Sequence, residues 1–242
     1  MSRGQPDYGL YTETPVASGI SDPGEAAARL GSINVYDRRG WTVWMDDFEA
    51  PSLKWTSRSS VGGTLPVLST ADAWMGIQCA YFRTAIVAGA YAEIRRKFPL
   101  IRQGKVGIEF TILNASRALG YFRARILTYD GVNRTDAELR LDANARTATI
   151  VTPAGDIIVA TNCFNTLPHL LWRPVKLVVD TSTDHYIRLL IGPTEIDISS
   201  HQLVPAGASN ETMLWVDLRL VGELVFGQNA YLDNFIMTQN EP

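Results

Sequence analysis

From Trp41 onward the sequence alternates. Apolar residues return at every second position in Val106/Ile108/Phe110/Ile112, Phe122/Ala124/Ile126, Leu139/Leu141, Val175/Leu177/Val179, Ile187/Leu189/Ile191 and Val216/Leu218/Leu220. A strand sends successive side chains to opposite faces, so a period of two predicts strands with one buried face each. Turn chemistry separates the runs at Gly62-Gly63, Asp130-Gly131, Pro153-Ala154-Gly155, Gly192-Pro193 and Pro205-Ala206-Gly207. About a dozen short strands at this spacing, with no convincing helix after residue 40, predict an all-β sandwich or barrel. A chain of 242 residues is the size at which such a fold forms one domain around one core.

Composition limits the partners. The formal net charge is −3, and a chain without a basic excess is not expected to bind nucleic acid. No apolar run approaches the length of a membrane-crossing helix, so no membrane partner is expected. The opening MSRGQPDYGLYTETP has no apolar stretch of the kind a secretory signal needs. Cys79 and Cys163 form neither a CxxC pair nor a disulfide framework, and a single bridge or two free thiols both fit. The lysines are Lys54, Lys97, Lys105 and Lys176, and every other basic residue is arginine. Arginine keeps planar, bidentate contacts on partial desolvation, which suits an interface.

Residues 1–40 differ from the rest. Pro6, Pro15, Pro23 and scattered glycines break any alternation there. Ser21 or Asp22 can cap a helix that has Pro23 at its first turn, Glu25 against the dipole, Ala26–Leu30 as its body and Gly31 as its stop. This predicts an N-terminal arm over 1–40 with a short helix at about 22–30, followed by a sandwich over 41–242. Tyr8, Tyr11, Leu30, Arg38 and Arg39 are the side chains with which such an arm would dock on a neighbour.

Two stretches carry a resemblance. Trp172-Arg-Pro-Val-Lys-Leu-Val-Val-Asp180, Tyr186-Ile-Arg-Leu-Leu-Ile-Gly192 and Glu195-Ile-Asp-Ile-Ser199 resemble the back half of laminin-G and concanavalin-type jelly rolls. Trp44-Met-Asp-Asp-Phe-Glu49 and Tyr231-Leu-Asp-Asn-Phe-Ile-Met237 resemble the opening and closing strands of jelly-roll carbohydrate-binding modules, which lie side by side. The resemblance implies a jelly-roll (concanavalin A-like) β-sandwich over roughly 41–238. It also implies a structural Ca²⁺ near that edge, with Asp46, Asp47, Glu49, Asp233 and Asn234 as oxygen ligands. Gly24–Ile33, Asp37-Arg-Arg-Gly40 and the strand after them are similar to openings of structural proteins from tailed phage particles. That similarity implies a virion subunit, capsid-decorating or tail-associated, assembled in a host cytoplasm through its arm onto other virion proteins or copies of itself.

Three further sites are legible. Alternation places Tyr91, Arg95, Glu109, Tyr121, Arg123, Arg125, Tyr129 and Arg140 on outward faces, with Glu93, Lys97 and Glu138 among them. If the strands share a sheet, they form a charged and aromatic face for a protein or glycan partner. Trp55 and Trp74 flank a Ser/Gly-rich stretch as candidate exposed loop aromatics. Glu195 and Asp197 share a strand face as in jelly-roll glycosidases, whose retaining mechanism needs carboxyls about 5–5.5 Å apart. Ser199 and Ser200 stand where such enzymes carry a further acid. His169, His185 and His201 have no zinc-site spacing. The expected function is therefore a non-enzymatic virion structural protein. The alternative is a carbohydrate-binding module or host-glycan attachment domain, with a jelly-roll glycosidase third.

Overall fold

The computed structural model describes residues 39–60, 62–99, 104–114, 120–163, 171–222 and 227–242. In chain order the strands are β1 (Trp41–Asp46), β2 (Thr56–Ser59), β3 (Thr64–Ser69), β4 (Cys79–Arg83), β5 (Tyr91–Pro99), β6 (Lys105–Asn114), β7 (Gly120–Asp130) and β8 (Asn133–Asp142). They continue as β9 (Thr147–Thr152), β10 (Gly155–Thr161), β11 (Arg173–Asp180), β12 (His185–Ile191), β13 (Thr194–Asp197), β14 (Val204–Ala208), β15 (Thr212–Gly222) and β16 (Asn229–Gln239). The described residues contain no helix.

Eight strands form sheet A, in the order β13-β12-β11-β6-β16-β4-β3, with β1 also on β16. Eight form sheet B, in the order β10-β9-β8-β7-β15-β5-β2, with β14 also on β8. The long central pairs are antiparallel, so each strand turns one set of side chains inward and the other outward. Sheet A contributes Ile108, Phe110, Val175, Leu177, Leu189 and Leu232 to the core, and sheet B contributes Phe122, Ala124, Ile126, Leu139, Val216 and Leu218. Phe122 joins the layers, with its ring 5.7 Å from Phe82 and 5.8 Å from Phe110. Burying side chains of this size contributes about 1.5–3 kcal/mol each. The fold is an all-β sandwich of two antiparallel sheets, as the alternation predicts.

The strands that open and close the sandwich do lie side by side. Met45 pairs with Ile236 and Asp46 with Phe235. Along the same edge of β16, β4 takes the first half and β1 the second. The register shifts between Asp233 and Ile236 where the two halves meet, and Asn234 there has φ 51°.

Alternation fails in β12. A bulge shifts the register between Val178 and Val179, so Arg188 faces Val178 and Tyr186 faces Val179. Tyr186 is thereby fully buried and Ile187 only half-buried, which reverses the expected inward face there. The expected arm helix and the docking residues Tyr8, Tyr11, Leu30 and Arg38 lie outside the described residues. Arg39 is described; its guanidinium meets Glu195 at 2.6 Å. Both cysteines are free thiols.

Candidate functional site

The outer face of sheet B is a grid set by strand register. One row reads Tyr91, Val221, Tyr121 and Asp142 across β5, β15, β7 and β8. The next reads Glu93, Arg219, Arg123 and Arg140, with Arg58 of β2 before it. The third reads Arg95, Asp217, Arg125 and Glu138. Ion pairs knit the grid together: Arg95–Glu93 at 2.7 Å, Arg123–Asp217 at 3.3 Å, Arg125–Glu138 at 3.4 Å and Arg140–Glu138 at 2.7 Å, with Arg219–Glu93 and Arg125–Asp136 also in contact. The rings are covered by cations. Arg219 lies over Tyr91 at 4.2 Å, Arg95 over Trp215 at 4.7 Å, Arg140 over Tyr121 at 5.4 Å and Arg134 over Tyr129 at 5.8 Å. Each such contact contributes about 0.5–2 kcal/mol and occupies a ring face that a sugar would otherwise stack upon.

The β5, β7 and β8 residues of the expected face do share one sheet, with one correction. Glu109 is on β6 in sheet A, not on this face. It is fully buried there, 2.7 Å from Lys176 Nζ. Sequence alternation gives a residue its parity but not its sheet. Trp215, Asp217 and Arg219 of β15 were not among the expected residues, although the Val216/Leu218/Leu220 alternation already turns them outward.

Two buried carboxyls here and nearby hold protons tightly. Burial pushes Asp217 up to about 6, against the pull of Arg123 and with the repulsion of Glu93. Burial also works against Glu93, but Arg219 and Arg95 hold it below the usual range. Burial pushes Asp233 of β16 up to about 6, against three backbone N–H donors. Asp217 and Asp233 bind protons more tightly in the folded chain than at the ordinary value of 3.8. Their contribution to stability is therefore present at the acid end and lost as pH rises through about 6. Glu93 acts oppositely, and only below 4.5. The expected result is a melting temperature several degrees higher at pH 5 than at pH 8, from on the order of 1 kcal/mol per group. A melting temperature that is flat, or that rises toward pH 8, would contradict the burial of these two acids.

The acids at the opening edge hold chain rather than one another. Asp46 accepts from Trp55 Nε1 at 2.9 Å, Lys54 Nζ at 3.0 Å and Phe48 N at 3.2 Å. Asp47 accepts from Glu49 N at 3.1 Å, and Asn234 is buried at the β16 bulge. Glu49 and Asp233 both grip the β3–β4 loop. Glu49 Oε1 accepts from Ile77 N at 2.7 Å and Gln78 N at 2.9 Å. Asp233 Oδ2 accepts from Trp74 N at 2.9 Å and Met75 N at 3.1 Å. Gly76 has φ +75° and a Cβ there would meet the Glu49 carboxylate, so the loop requires glycine at that position. Among the described residues no three His, Cys, Asp or Glu side chains are grouped to hold a metal.

This pinned loop builds an aromatic patch on the outer face of sheet A. Tyr81 of β4 pairs with Tyr231 of β16, and their rings are 5.0 Å apart. Tyr231 pairs on its other side with Leu113 of β6. Trp172 directly precedes β11, whose Arg173 pairs with Ile112, and this sets Trp172 beside Leu113. Trp74 closes the group, 6.3 Å from Trp172 and 40% exposed. Polar groups rim it. Tyr81 donates to Asn229 Oδ1 at 2.9 Å, and burial with the nearby Asp72 raises the pKa of the Tyr231 hydroxyl. Arg83 is exposed alongside. No cation stacks on these four rings among the described contacts.

The paired expectation for Trp55 is corrected. Trp55 is only 6% exposed, with its ring 4.8 Å from Phe235 and 5.4 Å from Trp44. Its indole N–H reaches a carboxylate inside the sandwich, so it is a core residue. Sequence alone does not separate it from Trp74, because both follow short polar loops. Glu195 and Asp197 lie on the edge strand β13. Glu195 meets Arg39, and Asp197 accepts from Ser199 N at 2.9 Å to close a turn.

Comparison with known proteins identifies the fold. No family model matches the sequence, and a search of curated proteins returns no relative. Among solved structures, a protein of unknown function with a galectin-like fold from Bacillus subtilis superposes with a TM-score of 0.54 at 11% identity, covering 83% of this chain and 97% of that one. Cellulose induced protein Cip1 superposes with a TM-score of 0.52 at 16% identity, covering 81% of this chain and 97% of that one. A xylan-binding domain of family 22 is more remote, with a TM-score of 0.41 at 15% identity over 82% of this chain and 94% of that one. The first two place the chain among jelly-roll and galectin-like sandwiches. The similarity of the opening segment to phage structural proteins finds no support in these structures.

Proposed function

We propose that this sandwich binds carbohydrate through the Trp74–Trp172–Tyr231–Tyr81 patch. The carrying observation is two ring pairs on one outer face, Trp74–Trp172 at 6.3 Å and Tyr81–Tyr231 at 5.0 Å, linked through Asp233 of β16, which holds the Trp74 amide. A pyranose has an apolar C–H face and a rim of hydroxyls, and amphipathic rings beside fixed polar groups suit it. Neighbouring strands are about 4.8 Å apart, so Tyr81 and Tyr231 on adjacent β4 and β16 offer neighbouring platforms to a glycan chain. Asp233, which holds the Trp74 and Met75 amides, and Glu49, which holds those of Ile77 and Gln78, reduce the ordering cost of binding.

The rings of sheet B serve this purpose less well, because their faces already carry guanidinium groups. The role is binding rather than turnover. Glu93 and Asp217 are engaged by arginines, and Glu195 and Asp197 are the two acids of the short edge strand β13, which ends at Asp197. Of the residues expected to dock the arm on a neighbour, Arg39 is described, and it meets Glu195 of its own chain.

Affinity electrophoresis through gels cast with neutral polysaccharides (β-glucan, xylan, galactan) tests the proposal. The wild type is retarded by at least one of them. Trp74→Ala weakens that binding by about tenfold or more, the scale of one lost anchoring contact. Equal mobility of wild type and variant in every gel would remove the patch from consideration.

A further inference from the structure

The two ends of the Tyr81–Tyr231 pair carry opposite charge. On β4 the core takes Ala80 and Phe82, so alternation turns Cys79, Tyr81 and Arg83 to the outer face of sheet A. Cys79 pairs with Ser69, Tyr81 lies between Val67 and Tyr231, and Arg83 lies between Thr64 and Asn229. Outward residues two apart on a strand are separated by about 6.8 Å, so Arg83 stands one step beyond the Tyr81 ring. Tyr81 leans toward that step, because its hydroxyl donates to Asn229 Oδ1 at 2.9 Å.

Arg83 is exposed, and its two cross-strand neighbours are uncharged. Among the described residues it forms no ion pair and covers no ring. The arginines of β7, β8 and β15 differ, since their donors are engaged by Glu93, Asp136, Glu138, Asp156 and Asp217.

The other end is acidic. Asp72 is exposed, and its carbonyl accepts from Cys79 Sγ at 2.7 Å, which sets it at the Cys79 end of the strand. Burial first, and then the Asp72 carboxylate, raise the pKa of the Tyr231 hydroxyl, so the charge of Asp72 reaches the patch. A ligand lying across the two tyrosines meets an unpaired cation at one end and a carboxylate at the other.

We infer that Arg83 sets the specificity of this patch, selecting a neutral glycan chain that carries an isolated carboxylate, such as a uronic acid unit. The assignment stands only if the patch binds carbohydrate as proposed. A guanidinium edge takes a carboxylate through two parallel hydrogen bonds. A uronic acid bears its carboxylate on the edge of the pyranose ring, so a sugar stacked over Tyr81 presents that group sideways, toward Arg83. One unpaired arginine serves one carboxylate. A continuous polyuronate sets a further carboxylate against Asp72, and that repulsion discriminates against it.

Isothermal titration with matched neutral and acidic polymers tests this. The pairs are xylan with glucuronoxylan, and β-glucan and galactan each with its own sparsely C6-oxidised form; polygalacturonate is the fully acidic control. The wild type binds the acidic member of at least one pair about tenfold more tightly than its neutral partner, the scale of a charge-assisted contact. Salt narrows that gap. Polygalacturonate binds less tightly than the sparsely acidic polymer, and Asp72→Asn strengthens its binding. Arg83→Gln, at an exposed position, brings the acidic polymer down to the affinity of its neutral partner and leaves the neutral one unchanged. Trp74→Ala weakens both members of the pair. A wild type without preference for the acidic member, or an Arg83→Gln variant that keeps it, overturns the role of Arg83, and the patch survives if Trp74→Ala still weakens both. Unchanged binding in Trp74→Ala removes the patch itself, and a wild type that binds no member of any pair removes both.

Discussion

Lys176→Met lowers the free energy of unfolding by about 3–5 kcal/mol, the cost of breaking a buried ion pair by removing one partner. Lys176 reaches from β11 to the outer face of sheet A and is 2% exposed. Its Nζ lies 2.7 Å from Glu109 and 2.8 Å from Glu241, and donates to the Arg39 carbonyl at 3.0 Å. Burial opposes its charge, but the two carboxylates raise its pKa above the usual lysine value. Methionine keeps most of the volume and removes the charge, leaving two carboxylates with 0% side-chain exposure facing one another. Glu241 retains Arg188 and the Thr238 hydroxyl, the latter at 2.6 Å. Lys176→Met with Glu109→Leu removes one of the two buried like charges and recovers part of the loss. Urea unfolding of the two variants beside the wild type measures both effects. A loss below about 1 kcal/mol in the single variant is the value for a solvated surface pair and would contradict the buried cluster.

Tyr186→Phe is the second large effect, at about 2–4 kcal/mol, because two buried backbone groups lose their partner and no cavity opens. The bulge in β12 turns Tyr186 into the core, and its hydroxyl crosses from sheet A to sheet B. There it donates to Val151 O at 2.7 Å and accepts from Glu138 N at 2.9 Å. Burial raises its pKa, so it remains a donor throughout the accessible pH range. The substitution removes one oxygen from a fully buried site. Amide exchange at Glu138 should quicken along with the loss of stability. Unchanged exchange there would mean that the hydroxyl does not tie the two sheets together.

The sandwich was legible because burial on one face imposes a period of two, and the β6, β7, β8, β11 and β15 sets keep it without interruption. Ile187 misleads for a physical reason. One extra residue in a strand reverses parity downstream, and nothing in the Tyr186-Ile187-Arg188 composition marks the bulge. Glu109 misleads because outward-facing acids of two sheets look alike until the pairing is known. The charged face on β5, β7 and β8 was legible from alternation alone. The like-charge row within it was not, since register between strands far apart in sequence is a tertiary property. The aromatic patch was the least legible feature. Tyr81, Tyr231 and Trp172 are separated by long stretches of chain and meet only through the order β4-β16-β6-β11. Of its four rings, sequence singled out Trp74 as an exposed loop aromatic. It could not foresee that Asp233 and Glu49, read there as calcium ligands, hold the backbone of its loop.

The most direct test of the central claim is a titration of the ¹⁵N-labelled protein with the neutral polysaccharide fragment that binds best, followed by the indole N–H signals of its tryptophans. Large shifts are expected at Trp74 and Trp172, with Trp55 unmoved inside the core and Trp215 unmoved on sheet B. Shifts at Trp215 with none at Trp74 would place neutral glycan on the opposite face and contradict the proposed patch.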